Sequence, residues 1–295
     1  MDFKKMYGTI DTHVSGEIFR IVTRANFQME EMLIEDANRF FQSNFKDIKQ
    51  MLLNEPRGHR NVSGCYIVGS KQADYGLIFF DHNSEVEFKY GGVIASLTAL
   101  IETGYLEKNF DHLYKVETVK GIFTLKVEYA GTEVVGVKIV LGEEVTSISN
   151  GVYKVGEGLY QIEELATDDL VLDVMNLIGI ESFRHKKISG SENQKINMII
   201  YQKNSSGKVT SITFENDGTI LRSPGFESSL LLLKYFNERG EVPSNKLVNH
   251  TVFNSYFVIE ADNGVISIEA EAFITGIHEF VYDIDDAIGT GFLLA

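Results

Sequence analysis

Two glycine-bounded apolar segments, one in each half of the chain, constrain the fold more than anything else in this sequence. The first, from about Val93 to Thr103, sets Val93, Leu97, Leu100 and Ile101 on one helical face, begins at Gly91-Gly92 and stops at Gly104. The second, from about Pro224 to Arg239, opens on Ser223-Pro224 as N-cap and first-turn pair, carries Leu230, Leu231 and Leu233, and ends at Gly240. Around them the chain reads as short strands of β-branched and aromatic residues bounded by Gly, Asn and Asp, for example Tyr66 to Val68, Leu77 to Phe80 and Ile122 to Tyr129. The class is β-rich with few helices, and a weak two-fold repetition of strands around one helix is visible. Two further helices are expected. One runs from about Met29 to Gln42 with Met32, Leu33 and Phe40 toward a core, and one from Asp168 to Ile178 with Asp168 or Asp169 as cap.

At 295 residues the chain is about twice the usual size of one domain, which predicts two domains, each with its own core. Lys120-Gly121 and Glu128 to Gly131 are candidate turns near the middle, and the crossing is expected between them. With three prolines and no low-complexity tract, no long flexible linker is expected. No apolar run reaches the roughly 18 residues of a membrane helix, and the N-terminus lacks the blocks of a signal peptide, so a cytoplasmic location is expected. The single cysteine, Cys65, excludes an internal disulfide framework and a multi-cysteine zinc site. A net charge of −15 disfavours nucleic acid and anionic membrane as partners, and no basic patch was evident to offset it.

Four segments carry a family resemblance. They are Asp11-Thr12-His13-Val14-Ser15-Gly16-Glu17 with Arg20 and Val22; Glu55-Pro56-Arg57-Gly58-His59 with Gly64 following; Arg222-Ser223-Pro224; and the run from Ala272 to Leu294. In order and approximate spacing they resemble the proline racemase family, whose signatures read DTH..GE..R.V, EPRGH, DRSPCGTG and ITG.H.FV.D..DP...GFLL. The resemblance spans nearly the whole chain. It implies an α+β, two-domain, diaminopimelate epimerase-like fold in which each domain is a curved β-sheet or barrel around a central helix, with a cleft between domains. It also implies a discontinuous first domain, residues 1–127 plus about 277–295, and a second domain of residues 128–276.

Exchange of an amino acid's α-proton needs a base on one face and an acid on the other, with the substrate carboxylate held. The family uses two cysteines at two helix starts, where a thiol is brought near neutrality and backbone N–H groups meet the carboxylate, without cofactor or metal. In this chain Tyr90 stands at the first cysteine position and Gly225 at the second. Leu221 replaces the aspartate that meets the substrate amine, Gly92 replaces the histidine after the first cysteine, and the family's Asp-Ile-Ala-Tyr-Gly-Gly stretch is degraded to Val152 to Glu157. Cys65 lies in an apparent strand rather than at either helix start. A tyrosine, with its ordinary pKa of about 10, needs a large downward shift to serve as a base at neutral pH.

Glu227 is the candidate replacement acid–base group, alone or with Tyr90; a carboxylate in a first helical turn also simply complements the macrodipole. Tyr90 reads equally as a cleft-filling aromatic. The expected ligand-binding positions are Tyr90, Gly91, Gly92, Leu221, Gly225, Phe226, Glu227 and Ser228, with Ser229 beside them and the glycine pair serving either as an anion approach or as a turn before the helix. The histidines, at 13, 59, 82, 112, 185, 250 and 278, lack the i, i+4 spacing of a helical metal site and read as structural. Asp283, Asp285 and Asp286 read as a solvated acidic turn. Two functions stay open: a non-catalytic family member binding a small carboxylate or amino-acid ligand or a protein partner, and an isomerase or lyase with a remodelled site. The family resemblance implies a homodimer.

Overall fold

Sixteen strands and five α-helices occupy the described residues of the computed structural model, which are 5–24, 32–82, 86, 88–149, 151–166, 170–188, 195–241, 245–283 and 285–293. The chain divides into one unit of Met1–Ile139 with Glu271–Ala295 and another of Val140–Ala270. The first unit holds β1 (Lys5–Val14), β2 (Glu17–Arg24), α1 (Ile34–Asn44), α2 (Lys46–Leu53), β3 (Val62–Val68), β4 (Tyr75–Phe80), α3 (Tyr90–Glu102), β5 (Leu113–Thr118), β6 (Gly121–Ala130), β7 (Glu133–Leu141) and the late strand β16 (Ala272–Tyr282). The second holds β8 (Val145–Ser149), β9 (Val152–Val155), β10 (Gly158–Glu164), α4 (Leu177–Ile188), β11 (Ile196–Lys203), β12 (Val209–Phe214), α5 (Phe226–Glu238), β13 (Lys246–Thr251), β14 (Tyr256–Asp262) and β15 (Val265–Ala270).

The two units repeat one topology. In the first the strand order is β16-β1-β2-β3-β4-β5-β6-β7, and in the second β8-β9-β10-β11-β12-β13-β14-β15. Two parallel pairs occur at matching places, β2/β3 and β4/β5 in one, β10/β11 and β12/β13 in the other, and the remaining neighbours are antiparallel. Parallel neighbours need a crossover, and it is helical each time: α1 with α2, then α3, in the first unit; α4, then α5, in the second. Neither run of strands closes on itself, so each is a sheet rather than a barrel. The fold is mixed α+β, mostly sheet.

Apolar pattern explains why α3 and α5 are central. Every residue from Tyr90 to Ile101 is buried, as a helix apolar on all sides must be. β4, Tyr-Gly-Leu-Ile-Phe-Phe, is buried throughout and packs as a strand covered on both faces. In α5, Leu230 to Leu233 and Phe236 are buried. Both helices end on a glycine with positive φ, +76° at Gly104 and +70° at Gly240, the left-handed stop that glycine adopts without penalty.

The other two helices differ from expectation. α1 buries Ile34, Ala37 and Phe41, whereas Met32, Leu33 and Phe40 are exposed, because the apolar stripe is displaced by one position from the one the sequence suggested. The Met29 to Glu31 start of the predicted helix lies outside the described residues. The expected helix at Asp168 to Ile178 forms later, as a short 3₁₀ turn at Val174–Asn176 running into α4. Asp173 caps it, its carboxylate accepting from the Met175 and Asn176 N–H groups at 2.8 and 3.2 Å; Asp168 and Asp169 lie outside the described residues. The Gly131–Thr132 turn is a hairpin between β6 and β7.

The motif residues near the two ends of the chain tie the first unit together. Arg20 binds Asp11 through Nε at 2.9 Å and through its terminal nitrogen at 2.7 Å, and also donates to the carbonyls of Leu52 and Arg57. Arg57 pairs with Asp286 at 2.8 Å, Asn54 donates to the Thr290 carbonyl at 3.2 Å, and Glu55 and Phe292 exchange backbone bonds at 3.0 Å. Asp286 is therefore an ion-pair partner as well as part of an acidic turn. β16 pairs with β1 along its whole length, starting at Ala272↔Val14. His59 and His82 join the network, the His82 ring meeting Asn54 Oδ1 and the His59 carbonyl at 3.2 Å each.

Candidate functional site

The sequence directs attention to the starts of α3 and α5. At α3 the chain arrives extended, with Lys89 at the N-cap (φ −143°, ψ 122°), and Tyr90 is the first helical residue. Gly91 and Gly92 are inside the first turn, so they are not a turn before the helix. Their lack of a side chain is a packing requirement: a Cβ on Gly91 would sit 2.7 Å from Phe19 Cζ, and one on Gly92 would sit 2.6 Å from Phe79 Cε1 and 3.0 Å from Cys65 Sγ. Cys65 is in β3 as expected, yet its sulfur abuts the helix start. It is fully buried, and burial pushes the thiol far above its ordinary value, so the thiolate is disfavoured.

Tyr90 is buried within an aromatic group. Its ring meets Phe88 edge-on at 4.7 Å and Phe123 at 5.9 Å; Phe88 in turn stacks on Phe123 at 4.7 Å and meets Phe79 at 5.6 Å. The half-buried Lys89 donates to Ser63 Oγ at 2.9 Å. A carboxylate oxygen of Glu17, from the β1–β2 hairpin, lies 3.4 Å from the Cβ position of Gly91, at the positive end of the helix.

The start of α5 is built differently. The helix begins at Phe226, two residues later than Ser223-Pro224 suggests, with Gly225 as its N-cap; the buried Ser223 hydroxyl instead accepts from the Gly225 N–H at 3.0 Å. Gly225 has φ +73° and ψ 131°, a conformation that belongs almost solely to glycine. A Cβ there would also meet Ser228 Oγ at 3.0 Å and Leu221 Cδ1 at 3.3 Å. Leu221 thus fills the space beside Gly225.

Ser228 and Ser229, expected to face a ligand, point inward. Thr213 donates to Ser228 Oγ at 2.8 Å, Asn249 donates to Ser229 Oγ at 3.0 Å, and Ser211 donates to Asn249 Oδ1 at 2.8 Å, all fully or nearly fully buried. Phe226 is buried too, its ring 4.6 Å from Phe257. Of the predicted α5 positions, only Leu221 and Glu227 keep partly exposed side chains. Glu227 lies near Tyr160, whose hydroxyl is pushed well above its ordinary value first by burial and then by Glu227, Glu215 and Glu143. Tyr160 was missed in the sequence: it sits on β10, distant along the chain, and only the strand pairing brings it to Glu227.

A model of the proline racemase family matches residues 9–147. The trans-3-hydroxy-L-proline dehydratase of Bacillus thuringiensis subsp. konkukian is 27% identical over 340 residues, covering 100% of both chains. The proline racemase of Acetoanaerobium sticklandii is 26% identical over 337 residues, covering 99% of each. Along its whole length the chain is similar to members of the proline racemase family. Among solved structures, a hydroxyproline epimerase from Agrobacterium vitis with bound trans-4-hydroxy-L-proline aligns with a TM-score of 0.74 at 20% identity, over 100% of this chain and 96% of that one. A PhzF-family protein from Enterococcus faecalis aligns at a TM-score of 0.61 and 13% identity, over 93% and 99%. These likenesses show the fold, and it is the diaminopimelate epimerase-like one the resemblance implied.

Proposed function

We propose that this relative of the proline racemase family does not perform the two-thiol α-proton exchange of the family and instead binds a small carboxylate-bearing, amino-acid-like ligand. The observation that carries the first half is the backbone at Gly225. Its positive φ leaves no ordinary place for an L-residue, so the second thiol is absent and its position has been rebuilt around glycine. The first position holds a tyrosine buried among Phe88 and Phe123. The one thiol in the chain, Cys65, is held protonated by burial.

The ligand half of the reading draws on the family and on the start of α3. The half-buried Lys89 at the N-cap is the cation that would meet a carboxylate there, reinforced by the helix terminus. One observation favours a second reading, an isomerase or lyase with a remodelled site: Glu227 is close enough to Tyr160 to raise its hydroxyl's pKa, and paired groups of this kind do occur at catalytic centres.

The test is proton exchange in heavy water with proline, trans-4-hydroxyproline and trans-3-hydroxyproline, followed by NMR, beside calorimetric titration of the same compounds. Binding without exchange or dehydration is the expected result. Exchange that disappears in Glu227→Gln would replace this reading with the remodelled enzyme, and absence of both binding and exchange would remove the ligand half.

A further inference from the structure

Helix α4 carries a charge where its own pattern calls for an apolar side chain. Leu177, Ile180, Phe183 and Arg184 fall on one helical face, and among the described residues of α4 it is Ile180 and Arg184 that are buried outright. Ile180 joins the core that contains Met198, Ile212 and Phe214, and Arg184, 8% exposed, continues the same face one turn later. A guanidinium taken out of water needs acceptors for its N–H donors. Among the described residues Arg184 has few. A terminal nitrogen lies 4.0 Å from the carboxylate of the exposed Glu181, and the enclosed Nε meets no acceptor. Replacing a buried charge of this kind by an apolar side chain commonly leaves a fold as stable or more so, and packing alone therefore does not account for an arginine here.

What Arg184 touches is the hairpin that leads from β12 into α5. Its guanidinium carbon lies 5.1 Å from the ring centre of Phe214, the last residue of β12, and the nitrogen that faces Glu181 lies 3.3 Å from the Cβ position of Gly218 at the hairpin tip. The hairpin is closed by the Glu215 N–H to Thr219 carbonyl bond at 2.8 Å and the Gly218 N–H to Glu215 carbonyl bond at 2.9 Å, and its return arm by the Phe214–Ile220 bridge and the Leu221 N–H to Thr213 carbonyl bond at 2.9 Å. Leu221 then fills the space beside Gly225, the N-cap of α5. The base of the hairpin also carries Glu215, whose charge acts on the Tyr160 hydroxyl together with that of Glu227. At its tip an exposed bond runs from the Asn216 N–H to Asn197 Oδ1 at 2.9 Å.

We infer that Arg184 is a positioning residue: from α4 it supports the hairpin of residues 215–219, and through that hairpin it fixes Leu221 and Glu215 at the start of α5. The planar face of the guanidinium covers the Phe214 ring while its edge reaches the turn, a pair of contacts that a lysine cannot make together. The inference rests on the reading of the α5 start as the ligand-facing part of the second unit, and it concerns the shape of that start in the free protein.

Amide hydrogen exchange of the full, ligand-free chain, beside urea unfolding, tests this, and because no ligand is added a failure to bind one leaves the result standing. In Arg184→Leu and in Arg184→Met the urea midpoint is expected to hold or rise, while the Gly218 and Leu221 amides exchange about tenfold or more faster and those of β11 and β14 keep their rates. Arg184→Lys, which keeps a cation without the planar face, is expected to recover part of that protection. Unchanged exchange at Gly218 and Leu221 in both apolar variants overturns the inference. So does faster exchange that comes only in step with β11 and β14 and with a lower midpoint, since Arg184 is then a part of the core and holds nothing in place.

Discussion

The starts of α3 and α5 occupy equivalent places in a repeated topology, and they dispense with a side chain in opposite ways. At α3 the backbone is ordinary, extended at Lys89 and then helical, and any residue can adopt it; what forbids a side chain at 91 and 92 is the ring of Phe19 on one side and Phe79 with Cys65 on the other. At α5 the obstacle at 225 is the backbone itself, at φ +73°, with Ser228 and Leu221 as secondary contacts. The difference teaches that a helix start can be closed to a side chain in two physically distinct ways. A position closed by packing reopens when its neighbours shrink, whereas one closed by backbone sign requires the approach to the helix to be rebuilt.

The largest expected effect is at Gly92. Gly92→His drives a Cβ to 2.6 Å from Phe79 and destabilises the first unit by about 3 kcal/mol, the upper end of ordinary overpacking. Urea unfolding of Gly92→His, Phe79→Ala and the double variant measures whether packing is the cause. A double variant less destabilised than the sum of the singles is expected, and strict additivity would break the comparison. Next comes Gly225→Cys, expected to cost about 1–3 kcal/mol for a non-glycine residue held in this conformation. Here Leu221→Ala combined with Gly225→Cys should give little relief. If the proposed function holds, the introduced thiol should also leave α-proton exchange at background, because no second thiol stands at Tyr90.

Much of this was legible in the sequence, and the misses share a cause. The α3 and α5 segments, their glycine stops and the end-to-end motifs could be read because each is local: periodicity, a stop residue, or a contiguous signature. Tyr90 reads in the sequence either as a cleft-filling aromatic or as an acid–base group, and what the fold adds is that its ring meets Phe88 and Phe123. What could not be read depends on which way a side chain turns once strands have paired. Ser228 and Ser229 look like ligand groups in a first helical turn, yet Thr213 on β12 and Asn249 on β13 claim them from below. Phe226 is drawn in by Phe257 on β14. Likewise the contact between Cys65 and Gly92 requires β3 to run beneath α3, a neighbour relation that no spacing encodes.

A smaller effect sharpens the α5 side. Ser228→Ala removes the acceptor of the 2.8 Å bond from the buried Thr213 hydroxyl and is expected to cost about 1 kcal/mol, without the cavity terms of a large truncation. Thr213→Val in the same background should return most of that loss, since a buried pair replaced on both sides leaves no orphan. Thermal unfolding of the two singles and the double separates a polar clamp from simple packing.

The smallest expected effect distinguishes the units by pH. His13, stacked on Phe273 and accepting from the Gly16 N–H in the hairpin that brings Glu17 to α3, is held below the ordinary value of 6.5 by burial; so is His82, again chiefly by burial. In the second unit His250 is lowered the same way. A folded-state pKa below the unfolded one means that, as pH falls through 6.5, the unfolded chain takes up these protons first. The stability they contribute is thus present above that pH and is lost as pH falls toward the folded values. With two such histidines in the first unit and one in the second, acidification from pH 7.5 toward 5 should loosen the α3 side more, read by hydrogen exchange of core amides in each unit. His13→Gln and His82→Gln should flatten that slope in the first unit and leave the second unchanged; equal slopes in both units before substitution would mean that acid sensitivity is set elsewhere and that the difference between the two halves ends at their helix starts.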